Sequence, residues 1–309
     1  MSNPLPSHPL VSVVIATYNG ERFLRQQLDS LFSQTYTNLE IIAIDDCSSD
    51  SSVQILNEYA AVHLNMKVFE NESNMKSVKT FERGALLASG DFINFCDQDD
   101  IWNQQKIAES VSAWESGTGL VYCDSLFIDE NGNSLGRKLS DIKILESHSN
   151  PLPFLIGNCV SGHAALYSRQ LVLEAIPFPN DILHDWWLAF VVAATASIKF
   201  IDQPLVQYRQ HQENVIGAIK TKGRKKKVDV NKNQVIRGRI SAFNAKCPTG
   251  SPHKKVIQEI DDAYATFSLK NNLKRIMIFF KYRHLLLATK KRSSFRKWLF
   301  CLKMFVKII

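Results

Sequence analysis

What the sequence withholds already narrows its function. None of its six cysteines (Cys47, Cys96, Cys123, Cys159, Cys247 and Cys301) stands in a CxxC pair. That argues against a zinc ribbon or a small disulfide scaffold and suits a reducing compartment. No run of about 18 apolar residues occurs, so no ordinary membrane-spanning helix is encoded. Residues 1–9 are polar and proline-rich and predict no secretory signal. The scarcity that matters most is one-sided. Residues 220–309 hold only 4 Asp+Glu against 24 Lys+Arg, a net of +20, whereas residues 1–219 hold 26 against 13, a net of −13. The whole-chain charge of +7 is therefore the sum of an acidic body and a basic arm, segments suited to different partners. The acidic body would repel a polyanion and no nucleic-acid module accompanies the basic stretches, which excludes nucleic acid as a partner. What is present is a 309-residue chain that is 45% hydrophobic, enough for one large domain or two ordinary ones.

Over the first hundred residues, apolar runs alternate with helical spacings. Residues 11–16 (VSVVIA) are a β-branched run, as expected of a strand buried on both faces. Phe23, Leu24, Leu28, Leu31 and Phe32 then recur at helical spacing within residues 21–34. Residues 39–44 (LEIIAI) end in Asp45-Asp46, and Ser48 and Ser49 offer N-cap oxygens for a helix reaching about residue 61. Residues 66–69 predict a third strand, 77–88 a helix and 91–96 (DFINFC) a fourth strand. This rhythm predicts an α/β fold: a doubly wound, mostly parallel sheet with helices on both faces. Ligands of such sheets sit beyond the carboxyl ends of the strands. Three of those ends carry oxygen-rich turns, TYNG, DDCSSD and DQDD. Farther on, strands are expected at 120–128, 160–168, 198–201 and 205–209, and a helix at 184–196.

Asp97 and Asp99, one residue apart at a strand end, can hold a divalent cation, with water and phosphate oxygens filling the remaining positions. Such an ion would act as a Lewis acid on a diphosphate leaving group. The plain alternative is a solvated acidic turn. Asp45 and Asp46 can accept hydrogen bonds from a pyrimidine imide or a ribose hydroxyl, or cap the helix that follows. Thr17 and Tyr18 offer a hydroxyl and a ring face to a base, or finish a turn. Asp185 either takes a proton or caps a helix whose Trp186, Trp187, Leu188 and Phe190 enter the core. TYNG is not the glycine- and basic-rich loop expected of a nucleotidyltransferase.

In this order and spacing, VSVVIATYNG, EIIAIDDCSSD and GDFINFCDQDDIW with Lys106-Ile107 closely resemble glycosyltransferase family 2. The resemblance covers about residues 10–215. It implies a GT-A fold, a nucleotide-diphospho-sugar donor, Mg²⁺ or Mn²⁺, and inversion at the anomeric carbon. DQDD-x-W, with HDWW and YRQHQEN downstream, is similar to the bacterial rhamnosyltransferase branch that builds surface polysaccharides. That implies L-rhamnose from dTDP-L-rhamnose and a glycan or lipid-linked acceptor. By position, Asp97 and Asp99 would be the metal and diphosphate carboxylates. Asp45 and Asp46 would face the nucleoside beside Thr17, Tyr18 and Asn19. Asp185 matches the general base, which takes the acceptor hydroxyl's proton. Arg209 and His211 would contact the diphosphate. Lys76 stands where the family commonly has glycine, so either the loop is rearranged or Lys76 adds a positive charge beside the donor. The rival readings are a UDP-hexose donor (galactosyl or N-acetylglucosaminyl) and a non-catalytic nucleotide-sugar-binding subunit of a polysaccharide assembly complex.

Residues 1–219 are expected to form the catalytic domain, with a nucleotide-sugar half at about 10–100 and an acceptor half at 101–219. Residues 221–227 (TKGRKKK) would link it to a basic, mostly helical arm, 220–309. Within residues 295–309, Arg296, Lys303 and Lys307 fall near one helical stripe, while Trp298, Leu299, Leu302, Phe305 and Val306 fill the rest. That pattern reads as an interfacial helix facing anionic headgroups. It predicts a cytoplasmic enzyme peripheral on the inner face of the cell membrane. The alternative is that these helices pack on the catalytic domain or on a second subunit.

Overall fold

The computed structural model describes residues 7–211 and 232–305. The expected linker at 221–227, and Val306 and Lys307 at the end of the arm, lie outside the described residues. The chain opens with β1 (Val11–Thr17), α1 (Glu21–Phe32), β2 (Leu39–Asp45), α2 (Ser52–Val62), β3 (Met66–Glu70), α3 (Lys76–Leu87) and β4 (Phe92–Cys96). The second half adds β5 (Ile101–Trp102), α4 (Lys106–Ser112), β6 (Thr118–Ile128), β7 (Ser134–Lys138), β8 (Ala165–Ser168), α5 (Arg169–Glu174), α6 (His184–Thr195) and β9 (Ser197–Arg209). The arm consists of α7 (Lys232–Lys246), α8 (Lys254–Tyr264), α9 (Leu269–Lys281), α10 (Arg283–Leu286) and α11 (Ser294–Lys303).

All nine strands join one sheet in the order β3-β2-β1-β4-β8-β6-β9-β5, with β7 on the side of β6. The first four strands are parallel, as the alternating sequence predicts. Strand β8 is antiparallel to both β4 and β6, and β6 returns to a parallel pairing with β9. The β-branched runs serve two cores at once. Val11, Val13 and Ile15 of β1, with Ile41 and Ala43 of β2, pack beneath Leu24, Leu28 and Ile55 of α1 and α2. Their alternates Val14, Ile42 and Ile44 pack with Val78, Phe81 and Ala85 of α3 on the other face. Period-two alternation with both phases apolar is what a sheet covered on both sides requires.

Three expected boundaries shift, the strand anticipated at 160–168 being confined to Ala165–Ser168 behind a 3-10 turn at Gly162–Ala164. The strands anticipated at 198–201 and 205–209 are one strand, β9, whose register against β6 slips beside Pro204. Proline donates no ladder hydrogen bond, and a bulge accommodates it. Helix α2 begins at Ser52, because Ser48 is occupied with Asp45 and the Asp50 carboxylate accepts the Ser52 N–H at 3.0 Å.

The arm is seated on the sheet domain. Phe243 of α7 stacks on Phe190 of α6 at 4.2 Å, and Ile240, Ile257, Phe279 and Phe300 extend the same hydrophobic cluster. Its inner face therefore packs on the body, which was the alternative to a membrane role, while its outer face stays exposed. Among the described residues no helix is long and apolar enough to cross a membrane.

Candidate active site

The parallel register sets Thr17 opposite Asp45 and Ile15 opposite Cys96, so the TYNG, DDCSSD and DQDD turns emerge along one rim. Asp45 is buried and locks two of them together. It accepts from the Thr17 hydroxyl at 2.9 Å, the Ser48 hydroxyl at 2.6 Å and the Ser48 N–H at 2.8 Å. Asp46 holds the loop after β3, accepting from the Asn71 amide at 2.7 Å and from the N–H groups of Met75 (2.7 Å) and Lys76 (2.9 Å). Neither aspartate caps α2. Both build loops along this rim.

Tyr18 presents a half-exposed ring, while its backbone is clasped by Gln98 of the DQDD turn. The Tyr18 N–H donates to Gln98 Oε1 at 2.8 Å, and Gln98 Nε2 donates to the Tyr18 carbonyl at 3.1 Å. Gly20 makes room for that clasp, since a Cβ there would lie 2.3 Å from Gln98 Oε1. The Asn19 side chain accepts the Ser49 N–H at 2.8 Å. Asn19, Cys47 and Lys76 have φ of 49°, 67° and 70°, and they are the non-glycine residues with positive φ among those described. They stand in the TYNG turn, the DDCSSD turn and the loop after β3, each costing about 1–2 kcal/mol. Lys76, expected either to rearrange its loop or to add a charge, keeps the left-handed backbone that glycine would favour and leaves its side chain exposed.

The DQDD carboxylates part company. With Gln98 pinned to Tyr18, Asp97 and Asp99 each meet a different histidine. Asp99 Oδ2 lies 2.7 Å from His211 Nε2. Asp97 Oδ2 is 3.6 Å and Asp100 Oδ2 3.3 Å from His163 Nδ1, and the other ring nitrogen of His163 is 3.1 Å from the Ser125 hydroxyl. Burial opposes charge throughout this cluster, but the partners decide the outcome. Burial alone would push Asp97 up, and the His163 hydrogen bond and charge bring it below its ordinary value. Burial would lower His163, and Asp100 and Asp97 raise it. Asp100, fully buried, is driven well above the carboxylate range. His163 and Asp100 were missed as site residues. Asp100 read as the tail of an acidic turn, and nothing around His163 in SGHAAL marks it in the sequence.

The donor set fits a divalent cation. The 2.7 Å between Asp99 Oδ2 and His211 Nε2 approaches the ~3 Å edge between adjacent ligands of an octahedral ion with ~2.1 Å bonds. One ligand atom each from Asp97, Asp100 and His163 also lie within 4.8 Å of one another, and Asp100 Oδ2 is buried without a hydrogen-bond partner.

Arg209, expected at the diphosphate, is turned inward and fully buried. Its guanidinium donates to the carbonyls of Asp99 (2.7 Å), Glu130 (3.0 Å) and Asp129 (3.3 Å) and to Gln26 Oε1 (2.7 Å), and stacks over Phe23. Those donors are committed to the protein, so Arg209 braces the DQDD turn.

Asp185 stands in the first turn of α6, whose N-cap is Leu183. It accepts the Trp186 N–H at 2.6 Å, so the capping reading is met in part. Burial raises its carboxyl above the ordinary value, with His184 and Lys143 pulling the other way. His184, buried against Phe81 and Phe95, has no partner at Nε2 among the described residues. Gly162 permits the approach: a Cβ there would sit 2.6 Å from His184 Nε2 and 3.5 Å from Asp185 Cβ. On the arm side, the Arg239 guanidinium lies 4.1 Å over the Trp186 ring and lines a cavity of about 360 Å³ with Asn180, Asp181 and Gln234.

Known proteins share the sequence pattern and fold of this chain. A Bacillus subtilis chain named "Putative glycosyltransferase EpsH" is 28% identical over 218 residues, covering 67% of this chain and 63% of its own length. This chain thus spans less than two thirds of that relative. A crystal structure of S. aureus TarS in complex with UDP-GlcNAc matches with a TM-score of 0.61 at 17% identity, over 90% of this chain and 81% of that one. The mannosyltransferase PcManGT from Pyrobaculum calidifontis, in complex with GDP-Man and Mn²⁺, matches with a TM-score of 0.54 at 16% identity, over 98% and 87%. Both likenesses are of fold, and the sheet with its helical C-terminal region is the GT-A architecture. The model of the family "Glycosyl transferase family 2" matches residues 12–174, and the chain belongs to that family.

Proposed function

We propose that the protein is an inverting hexosyltransferase that moves a sugar from a nucleotide-diphosphate donor to a growing surface glycan or lipid-linked glycan. The observation that carries this is a half-buried carboxylate, Asp185, whose proton affinity burial raises, in the same electrostatic environment as the DQDD cluster. A base needs a pKa closer to working pH than a free aspartate provides. In the transfer, the acceptor oxygen bonds to the anomeric carbon as the carbon–oxygen bond to the diphosphate breaks on the opposite face. The acceptor's proton passes to Asp185. Tyr18 offers its ring to the base, and Asp45 and Asp46 hold the loops around the nucleoside. Asp97, Asp99 and His211 would hold a divalent cation, Mg²⁺ or Mn²⁺, which supplies charge neutralisation of the departing diphosphate. Arg239 and its cavity lie beside Trp186 and suit the acceptor. A lipid-linked acceptor would be met at the inner face of the cell membrane.

DQDD-x-W and HDWW favour L-rhamnose from dTDP-L-rhamnose. The structural likeness to TarS holding UDP-GlcNAc supports a second reading, a UDP-hexose donor. Incubation with Mn²⁺ or Mg²⁺ and a panel of nucleotide sugars tests both readings. Transfer from dTDP-L-rhamnose, with a larger thermal shift from dTDP than from UDP, is expected. The reverse order establishes the UDP reading, and no turnover with any donor points to a non-catalytic subunit.

A further inference from the structure

Helices α9 and α11 carry outward-facing apolar stripes that none of the other described residues covers. On α9, Leu269, Leu273 and Met277 follow one another at four-residue intervals and are 65%, 48% and 64% exposed. On α11, Phe295, Trp298 and Leu302 follow at intervals of three and four residues, with Phe295 67% exposed. The stripes meet where Trp298 packs edge-on against Phe280 at 5.9 Å, and Phe295 stacks along Trp298 at 6.3 Å. A joined apolar surface of this kind is uncommon on a protein with nothing bound to it.

The charge around it selects the occupant. From residue 263 to 305 the chain carries eleven Lys and Arg and neither Asp nor Glu. Exposed Lys270, Lys281, Arg296 and Lys303 flank the stripes, and among the described residues the one ion pair of these two helices is Lys274 with Asp262 at 3.6 Å. A second copy docked by this face would set like charge against like charge, because a two-fold interface pairs a surface with itself. An anionic bilayer supplies both missing halves, an acyl boundary for the aromatic stripe and phosphate headgroups for the cations. Both helices are folded before they arrive. Ser268 and Ser293 cap their N-termini, and Ile278, Phe279, Phe300 and Cys301 anchor their inner faces in the core. No ordering cost is then left for the binding step.

We infer that the α9–α11 face is a docking surface for an anionic lipid bilayer, lying in its plane and holding the catalytic domain against it. This surface is independent of which sugar the enzyme transfers. The test is sedimentation of the full chain with vesicles of phosphatidylglycerol and phosphatidylcholine against phosphatidylcholine alone. At least tenfold stronger binding to the anionic vesicles, weakened by salt, is expected. Met277→Glu with Phe295→Glu, and separately Lys281→Glu with Lys303→Glu, should each reduce binding about tenfold. Melting temperature and transfer to a soluble acceptor should stay unchanged, because all four side chains are exposed. Failure to sediment with anionic vesicles, binding that these variants leave intact, or a concentration-dependent dimer abolished by Met277→Glu would each overturn the inference.

Discussion

His211 Nε2 and Asp99 Oδ2 are 2.7 Å apart, although 112 residues separate them in the chain. The end of β9 thus delivers an imidazole to the acidic turn after β4, at a spacing that two ligands of one cation would adopt. His211→Ala should lower Mn²⁺ affinity at least 10- to 100-fold, the range seen even for groups behind a ligand. Calorimetric titration of Mn²⁺ into the folded variant reads it. Unchanged affinity would leave the pair as a structural hydrogen bond.

Arg209 sits two residues before His211 and does different work. Arg209→Met strips hydrogen bonds from the carbonyls of Asp99 and Glu130 and from Gln26, at about 1–3 kcal/mol for each group left buried and unpaired. Denaturant unfolding should show a loss on the order of 3–5 kcal/mol. A variant of native stability with only donor affinity lost would restore Arg209 to the diphosphate.

The parallel half of the fold was legible because its strands are buried on both faces, so each reads as an unbroken apolar run ending in a turn rich in oxygens. Asp45, Asp46, Asp97 and Asp99 were visible for the same reason: carboxylates stand out against such runs, whereas Asp185, at a helix start, was singled out only by the family resemblance. The roles of Arg209 and His163 were not legible. An arginine at a strand end reads alike whether it meets a ligand or the carbonyls of residues 129 and 130. His163 joins Asp97 and Asp100 through a segment that approaches from the antiparallel strand β8, and sequence spacing carries no trace of that meeting. The arm was half legible. Its amphipathic helices were foreseen, but which face the body would cover depends on Phe190 and Trp187 of α6.

Lys106 is fully buried, with its ammonium donating to the Asn94 side-chain Oδ1 at 2.6 Å and lying over the Trp102 ring. Burial lowers its pKa from 10.5 to about 8, against the opposing pull of Cys123, Cys96 and Asp100. The unfolded chain therefore binds more protons between about pH 8 and 10.5, and this group's contribution to stability rises across that window. Below pH 8 the charged, buried ammonium is a cost on the order of 3 kcal/mol. Subtracting a Lys106→Met curve from the wild-type unfolding curve should leave a difference that moves in favour of wild type from pH 8 to 10.5. A flat difference would show that the ammonium is solvated in solution.

Asp185 offers the test that bears most directly on chemistry. Its carboxyl is raised above 3.8 by burial, with His184 and Lys143 restraining the shift. A base acts only when deprotonated, so kcat/KM should fall on the acid side with an apparent pKa above that of a free aspartate. Asp185→Asn should reduce kcat about 10²- to 10⁴-fold, the usual range for a lost general base. Donor binding should be preserved, because the rim loops proposed to meet the nucleoside are held by Asp45 and Asp46 at the end of β2. Full transfer in the Asn variant would remove Asp185 from the reaction. Loss of donor binding together with rate would instead make Asp185 part of the loop architecture, as its hydrogen bond to the Trp186 N–H allows. The two outcomes separate a proton acceptor from a helix cap, which are the two roles an aspartate in the first turn of a helix can have.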